Sequence, residues 1–341
     1  MRCSKCPDPA WVELKRHHSA YCAPHYVEFF DRQVERTIKH FHMFGKEDKI
    51  LVAVSGGKDS LALWHVLHRM GYSTAGLYID LGITEYSTRS KEKSIAFAAL
   101  HGLRLIVKDV RSEYGDGLLG IPELSRALKR VPCSGCGLTK RYVLNQVAHE
   151  EGFSVLATGH NLDDEAATLM GNVLHWQMQY LARQSPMLEA THPGLSRKVK
   201  PLCGFTERET LSYTLIQEID FIEEECPHSH GAHSLLYKDV LNRIEQESPG
   251  SKQAFMQGFL DRAKPLVQAS DDPTLNNCTR CGEPTTGDDL CSFCRTWDRA
   301  KSVWSRRQRP IAAGVAQPAP ANVSLSAAED LPPLPPSSGE D

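Results

Sequence analysis

Apolar and polar positions along the chain switch between two periods, and the switches mark its elements. Ile50, Leu51, Val52, Ala53 and Val54 form an unbroken apolar run rich in β-branched residues, as in a parallel strand covered on both faces. Past the turn Ser55-Gly56-Gly57, Leu61, Leu63, Trp64 and Leu67 recur with helical spacing. Ser73 to Ile79 then reads as a second strand, Arg89 to Leu100 as a helix, Leu103 to Val110 as a third strand and Ser154 to Thr158 as a fourth. This alternation predicts an α/β fold on a doubly wound parallel sheet.

Upstream, Val27, Phe30, Val34, Ile38 and Phe41 mark one face of a helix over Tyr26 to Phe44, with Arg32, Arg36 and Lys39 on its solvated side. Downstream, Glu123 to Arg130 reads as a short basic helix and Leu138 to Glu150 as a longer one. Gln184 to Pro201 reads as loop. Helices follow over Thr206 to Glu218 and Ser234 to Glu247, with a third after Pro249 that ends near Val267.

The turn Ser55 to Ser60 carries chemistry. Gly56 and Gly57 let main-chain N–H groups approach an anion closely, at the positive end of a helix dipole. Ser55, Lys58 and Ser60 add donors. Asp59 would repel phosphates unless a metal ion lay between them, and Mg²⁺ is the natural bridge. The order is not GxxxxGK[ST]. SGGKDS resembles the pyrophosphate loop of the PP-loop ATPases, which cleave ATP between the α and β phosphates; a tight turn without ligand is the competing reading. The second strand ends at Ile79, so an adenine would lie near Ile79 and the backbone of Ala53. Asp80 serves equally well as a cap. The fourth strand ends at Gly159 and opens a helix whose first turn holds Asp163, Asp164 and Glu165; acids there also complement the helix dipole. Asp163 and Asp164 point in different directions, so at most one faces a nucleotide.

The 341 residues allow one sizeable α/β core with small accessory modules. No stretch is long and apolar enough to span a membrane, and the N-terminus lacks a secretory apolar core, so the expectation is a cytoplasmic protein without a membrane partner. Formal net charge is −3, and the residues before Ile311 sum to +1, so any RNA surface must be a local patch. Arg183, Arg197, Lys198 and Lys200 are one such candidate for tRNA contact.

Eleven cysteines in such a compartment point to metal or reactive sulfur rather than disulfides. Cys3-x-x-Cys6 and Cys22-x-x-His25 suit tetrahedral zinc, with His17 and His18 read as surface residues. Cys278-x-x-Cys281 and Cys291-x-x-Cys294, joined by nine residues, form a zinc-ribbon pattern. After them Trp297, Arg299, Lys301, Trp304, Arg306, Arg307 and Arg309 make a basic and aromatic strip, suited to RNA or simply to solvent. Cys133-x-x-Cys136 at a helix start has three readings: half a zinc site, a redox pair, or two iron–sulfur ligands. Cys226 offers a third sulfur, and His228 or His230 a fourth ligand for zinc. Lys140, one turn beyond Cys136, faces phosphates or solvent. Cys203 reads as a buried small residue. Beyond Pro310 the composition cannot form a core.

Together these motifs, with YIDLGITEYS at 78 to 87, PCSGCGLTKR at 132 to 141 and GHNLDDEA at 159 to 166, resemble the TtuA-type tRNA 2-thiolation enzymes through residue 300 or so. The resemblance implies ATP-dependent adenylation of a tRNA uridine at O2 and then sulfur transfer, with the bacterial branch pointing to T-loop position 54. It implies an ATP site of Ala53, Ser55, Gly56, Gly57, Asp59, Ser60, Ile79, Lys140 and Gly159. Cys133, Cys136 and Cys226 would hold a [4Fe–4S] cluster; Lys140 and Asp164 would match the nucleotide-site lysine and the catalytic aspartate. It also implies a thiocarboxylated ubiquitin-like sulfur carrier and a homodimer. The expected organisation is a zinc finger over 1–27, a linking helix over 28–48, a catalytic domain over 49–270, a zinc ribbon over 271–304 and a disordered tail over 305–341. Rival readings are thiolation of the wobble uridine or cytidine 32, adenylation without thiolation, and a non-thiolating ATP-binding zinc protein that binds RNA.

Overall fold

In the computed structural model, which describes residues 1–229, 233–267 and 275–308, the chain opens with an antiparallel hairpin, β1 (Val12–Leu14) and β2 (Ser19–Tyr21), and the helix α1 (Ala23–His40). There follow β3 (Lys49–Val54), α2 (Lys58–Arg69), β4 (Ser73–Asp80), α3 (Thr84–Leu100), β5 (Leu105–Asp109), α4 (Val110–Tyr114), α5 (Ile121–Leu128), α6 (Pro132–Glu150), β6 (Val155–Thr158) and α7 (Leu162–Leu174). The chain continues through α8 (Met178–Arg183), β7 (Met187–Leu188), β8 (Arg197–Val199), α9 (Glu207–Ile216), α10 (His233–Glu247) and α11 (Ser251–Gly258). It ends in β9 (Asn276–Asn277), β10 (Pro284–Thr285) and α12 (Ser292–Gln308).

The central sheet has strand order β5-β4-β3-β6-β8-β7, parallel except for the edge strand β7. Both faces of β3 are covered, which is why its sequence is a continuous apolar run. Ile50, Val52 and Val54 face one core with Leu61, Trp64 and Leu67 of α2, Phe97 of α3 and Phe30 and Val34 of α1. Leu51 faces the other, with Leu77, Leu156 and Val143 and Val147 of α6. Strand order reverses between β3 and β6, and the crevice at their carboxyl ends is where such sheets bind ligands.

Several boundaries differ from expectation. The helix expected from Arg89 begins at Thr84, because the Ser87 hydroxyl accepts the Ile83 N–H at 3.0 Å and the Tyr78 hydroxyl donates to Ser87 O at 2.8 Å. The segment 184–201 is not all loop: it supplies β7 and β8, too short to show an apolar rhythm. Helix α1 starts five residues before the expected linking helix, so His25 lies in its first turn. Residues 305–308 continue α12, and the rest of the tail, Arg309 included, lies outside the described residues.

Candidate active site

Gly56 stands at φ +75°, and a Cβ there would come within 2.4 Å of the Ser90 carbonyl oxygen. Only glycine fits both the angle and the approach. Gly57 is the N-cap of α2. Ser60 folds back into the loop: its hydroxyl donates to Gly57 O at 2.9 Å and accepts the Ser55 N–H at 3.1 Å. Gly159, at the end of β6, packs on the first turn of α2, where a Cβ would meet the Asp59 carbonyl carbon at 2.8 Å. The sheet thus brings Ser55, Gly56, Gly57, Asp59, Ser60 and Gly159 together at the crevice.

The Asp59 carboxylate is held from two sides, by Lys58 at 2.8 Å and by the Thr210 hydroxyl of α9. Glu207, on the first turn of α9, lies 3.9 Å from Lys58 and 2.7 Å from Lys238 of α10. Lys238 in turn pairs with Asp164 at 2.6 Å. An alternating ion chain, Asp59–Lys58–Glu207–Lys238–Asp164, therefore joins the loop to the start of α7. Thr210, Glu207 and Lys238 were not singled out from sequence; their signal is purely spatial.

Each acid in the first turn of α7 takes its own lysine. Asp163 is buried against Lys252 at 2.5 Å and also accepts the Glu207 N–H at 3.0 Å. Asp164 closes the capping box with Asn161. Burial would raise its pKa, but Lys238 and then His160 hold it below the usual carboxylate range. Glu165 is likewise opposed by burial and lowered by His160 and Lys200, with Lys200 at 2.7 Å. Asp164 alone belongs to the ion chain, as the divergent directions of the pair require.

Beside the loop lies a cavity of about 110 Å³, walled by Ala53, Ser55, Ile79, Tyr86, Ser90 and Lys140 among others. That is small for a whole ligand, and two roomier cavities of about 520 and 530 Å³ flank Arg16 instead. The small one matters more because it lies beside the loop, at the carboxyl ends of β3 and β4. Tyr86, missed by sequence reasoning, lines this cavity and is raised in pKa by burial and then by the nearby Cys226 and Cys136. Lys140 lines the cavity and also interacts with Cys136, where its charge opposes the raising of the thiol pKa by burial.

Helix α6 begins at Pro132, so Cys133 and Cys136 sit within its first turns rather than before it. Cys226 is near enough to Cys136 to act on its charge. Cys133 is exposed, with its thiol 3.4 Å from the His228 carbonyl oxygen. That contact uses the main chain of His228, and His230 lies outside the described residues.

The terminal clusters are tighter. Ligand atoms of Cys3, Cys6, Cys22 and His25 all lie within 4.8 Å of one another, as do those of Cys278, Cys281, Cys291 and Cys294. Sulfurs at about 2.3 Å from a tetrahedral ion stand about 3.8 Å apart. Cys278–Cys294 at 3.9 Å, Cys281–Cys291 at 3.8 Å and Cys6–Cys22 at 3.6 Å match that edge. Among the described residues, these two are the groups of three or more such ligands at this spacing, and Cys133, Cys136 and Cys226 are not one. Main-chain N–H groups of Cys281, Cys291 and Arg280 outweigh burial and lower the Cys278 thiol to about 6.

One expected surface is partly engaged within the fold, and one residue of the other is corrected. In the 183–201 segment, Lys200 is committed to Glu165, Lys198 is lowered in pKa by burial, and Arg197 bonds Glu189 at 3.1 Å and Met43 O at 3.2 Å. Lys200 and Arg197 are thus engaged in contacts within the fold. Trp297 is buried, its indole N–H 3.3 Å from the Thr139 hydroxyl, so it cannot stack on a base.

A glycine turn at the switch point of a parallel sheet, with donors and an acid on the following helix, defines a nucleotide-binding α/β protein. The family model described as PP-loop domain matches residues 30–231. The chain is 52% identical over 298 residues to the tRNA-5-methyluridine(54) 2-sulfurtransferase of Thermus thermophilus, covering 87% of this chain and 91% of that one. It is 43% identical to the protein of the same name from Thermotoga maritima, covering 86% and 95%. The U34-tRNA thiolase NcsA from Methanococcus maripaludis, solved with its [4Fe-4S] cluster, superposes with a TM-score of 0.72 at 26% identity, covering 86% of this chain and 95% of that one. The chain belongs to the PP-loop family, in its tRNA 2-sulfurtransferase branch. Among the described residues no helix is long and apolar enough to cross a membrane.

Proposed function

We propose that the protein is an ATP-dependent tRNA 2-sulfurtransferase acting on 5-methyluridine 54. The observation that carries the reading is the position of Lys140, which lines the cavity beside the PP-loop and reaches Cys136 on the same helix. Nucleotide and sulfur chemistry thereby share one wall. Position 54 rather than 34 follows the names of the two relatives at 52% and 43% identity.

The adenine enters the cavity between Ala53 and Ile79, and the phosphates lie on Ser55 to Ser60. Asp59, fixed by Thr210, can exchange Lys58 for Mg²⁺, which takes few carboxylates and shares the phosphates. The uridine O2 attacks the α-phosphorus and pyrophosphate leaves; a sulfur nucleophile then attacks C2 and AMP leaves with the oxygen. Lys140 opposes the charge that develops on the phosphate, and Asp164, kept ionised by Lys238, anchors the opposite side.

The wider spacing of Cys133, Cys136 and Cys226 suits a multi-iron group better than one tetrahedral ion, and among the described residues no fourth side-chain ligand joins them at the spacing of the terminal clusters. A [4Fe–4S] cluster held there would supply an iron without protein ligand at which donor sulfur is presented. The terminal sets fit two Zn²⁺ ions, bound structurally. The thiocarboxylated ubiquitin-like carrier, the homodimer and the cytoplasmic location are part of this proposal.

The test is anaerobic incubation of the full chain with ATP, Mg²⁺, a sulfide donor and an unmodified tRNA transcript. Formation of AMP together with a 2-thio base at position 54, read by nucleoside mass spectrometry, is expected. AMP without a thio base would leave adenylation only, and neither product would remove the proposal.

A further inference from the structure

Of the two cation groups read from the sequence, the 183–201 segment has Lys200, Lys198 and Arg197 engaged or half-buried within the fold, which turns attention to the end of α12. There Arg306 and Arg307, part of the strip read from sequence, meet cations of a second element far away in the chain. Arg126 lies in the last turn of α5, with Lys129 and Arg130 directly after it, and Arg306 and Arg307 lie in the last turn of α12, all exposed. The two ends touch: the Arg307 guanidinium donates to Arg126 O at 3.2 Å, and the Arg126 guanidinium lies over the Trp304 ring at 5.9 Å. Glu123 takes up Arg126 at 2.8 Å. Among the described residues no carboxylate lies within 4.0 Å of Lys129, Arg130, Arg306 or Arg307.

The strip has a direction. Lys129 terminates α5 in the left-handed conformation, and the chain runs on through exposed Arg130 and Val131 into Pro132 and exposed Cys133. Lys129 and Arg130 therefore lead along the chain to Cys133, and Arg306 and Arg307 join them from α12 through the contact with Arg126. An array of cations with a partly buried indole behind one guanidinium matches a phosphate backbone, which binds through point charges without reading sequence.

We propose that the ends of α5 and α12 form the tRNA-backbone dock that delivers the target base to Cys133, with Lys129, Arg130, Arg306 and Arg307 as its phosphate contacts. The assignment rests on the tRNA reading above. It also gives the C-terminal cysteine module a role, because α12 carries half of the dock.

The experiment is fluorescence anisotropy of a labelled tRNA transcript with the full chain across a salt series. Lys129→Glu/Arg130→Glu and Arg306→Glu/Arg307→Glu are compared with Arg32→Glu/Arg36→Glu, an equal charge change on the exposed side of α1. Each dock pair is expected to weaken binding on the order of tenfold or more and to flatten the salt dependence by about one unit per lost contact. The α1 pair should match wild type, and all variants should bind an ATP analogue normally, which controls for folding. If both dock pairs keep wild-type tRNA affinity, the proposal is overturned and the strip belongs to an acidic protein partner. If wild type itself shows no salt-dependent tRNA binding, it is the tRNA reading that fails.

Discussion

The rings of Tyr142 and Phe293 stack in parallel, 3.6 Å between centroids and 2° between planes. Tyr142 is on α6, which carries Cys133, Cys136 and Lys140, and Phe293 sits between Cys291 and Cys294. The C-terminal cysteine module is thereby clamped to the helix at the centre of the site. Phe293→Ala should remove about 3–5 kcal/mol of packing while leaving all four cysteines in place. The expected result is faster hydrogen exchange along 132–150 with metal content at the ribbon unchanged. Wild-type exchange in that helix would show that the stack does not support it.

Gly56 combines a positive φ with the close approach of Ser90, whereas Gly152 has φ +68° and nothing within 4 Å of an added Cβ. Gly152→Ala should cost about 1–2 kcal/mol of backbone strain and leave nucleotide binding intact. Gly56→Ala must in addition displace the loop, so affinity for an ATP analogue should drop at least tenfold by calorimetry. Equal affinities in the two variants would mean that the loop does not contact phosphate.

What the sequence disclosed here was local. The strand, glycine pair and helix of 49–69 are consecutive, as are the ligand pairs of each cysteine module, so spacing alone exposes them. Thr210 and Asp59 are 151 residues apart and Arg16 and Glu209 are 193 apart, and such pairs become visible only when the chain folds. Strand β8 was missed because Val199 is its one buried residue. The misplacement of Trp297 has another cause. Phe293, Trp297 and Ala300 lie on one helical face and are all buried, but the arginines between them drew attention to the opposite face.

Lys238 should prove as important as the loop lysine. Lys238→Met leaves Asp164 and Glu207 facing each other without a cation, and the loss of charge-assisted bonds worth about 1.5–3 kcal/mol each predicts a fall in kcat/KM of roughly ten- to a hundredfold. The sign in pH is fixed as well. Lys238 lowers the Asp164 pKa, so its removal lets that pKa rise and moves the acid limb of the pH–rate profile upward. An unmoved acid limb would separate Asp164 from the chemistry.

Arg16 ties the N-terminal cysteine knuckle to the nucleotide side. Its guanidinium donates to both Glu209 oxygens at 2.9 and 2.6 Å and to Gly204 O at 2.7 Å. Glu209 is also the capping-box residue of α9, the helix that presents Thr210 to Asp59. Arg16→Ala leaves a buried carboxylate unpaired and should destabilise the fold by about 3 kcal/mol. Arg16→Lys restores the charge but not the fork and should recover only part of that. Denaturation midpoints of the three proteins check the order; a full rescue by lysine would show that charge alone matters.

His65 makes the protein acid-sensitive. It is buried under α3, with Nδ1 2.9 Å from the Tyr213 hydroxyl. Burial first, and then His101, Arg69 and His68, lower its pKa from 6.5 to about 4. The unfolded chain therefore binds a proton that the folded chain refuses between those values. This contribution to stability is complete above pH 6.5 and is lost as pH falls toward 4, by roughly 1–3 kcal/mol. His65→Gln keeps an acceptor for Tyr213 and does not titrate. The urea midpoint of wild type should fall between pH 7 and pH 5 more than that of the glutamine variant; parallel decline in both would assign the acid sensitivity to other groups.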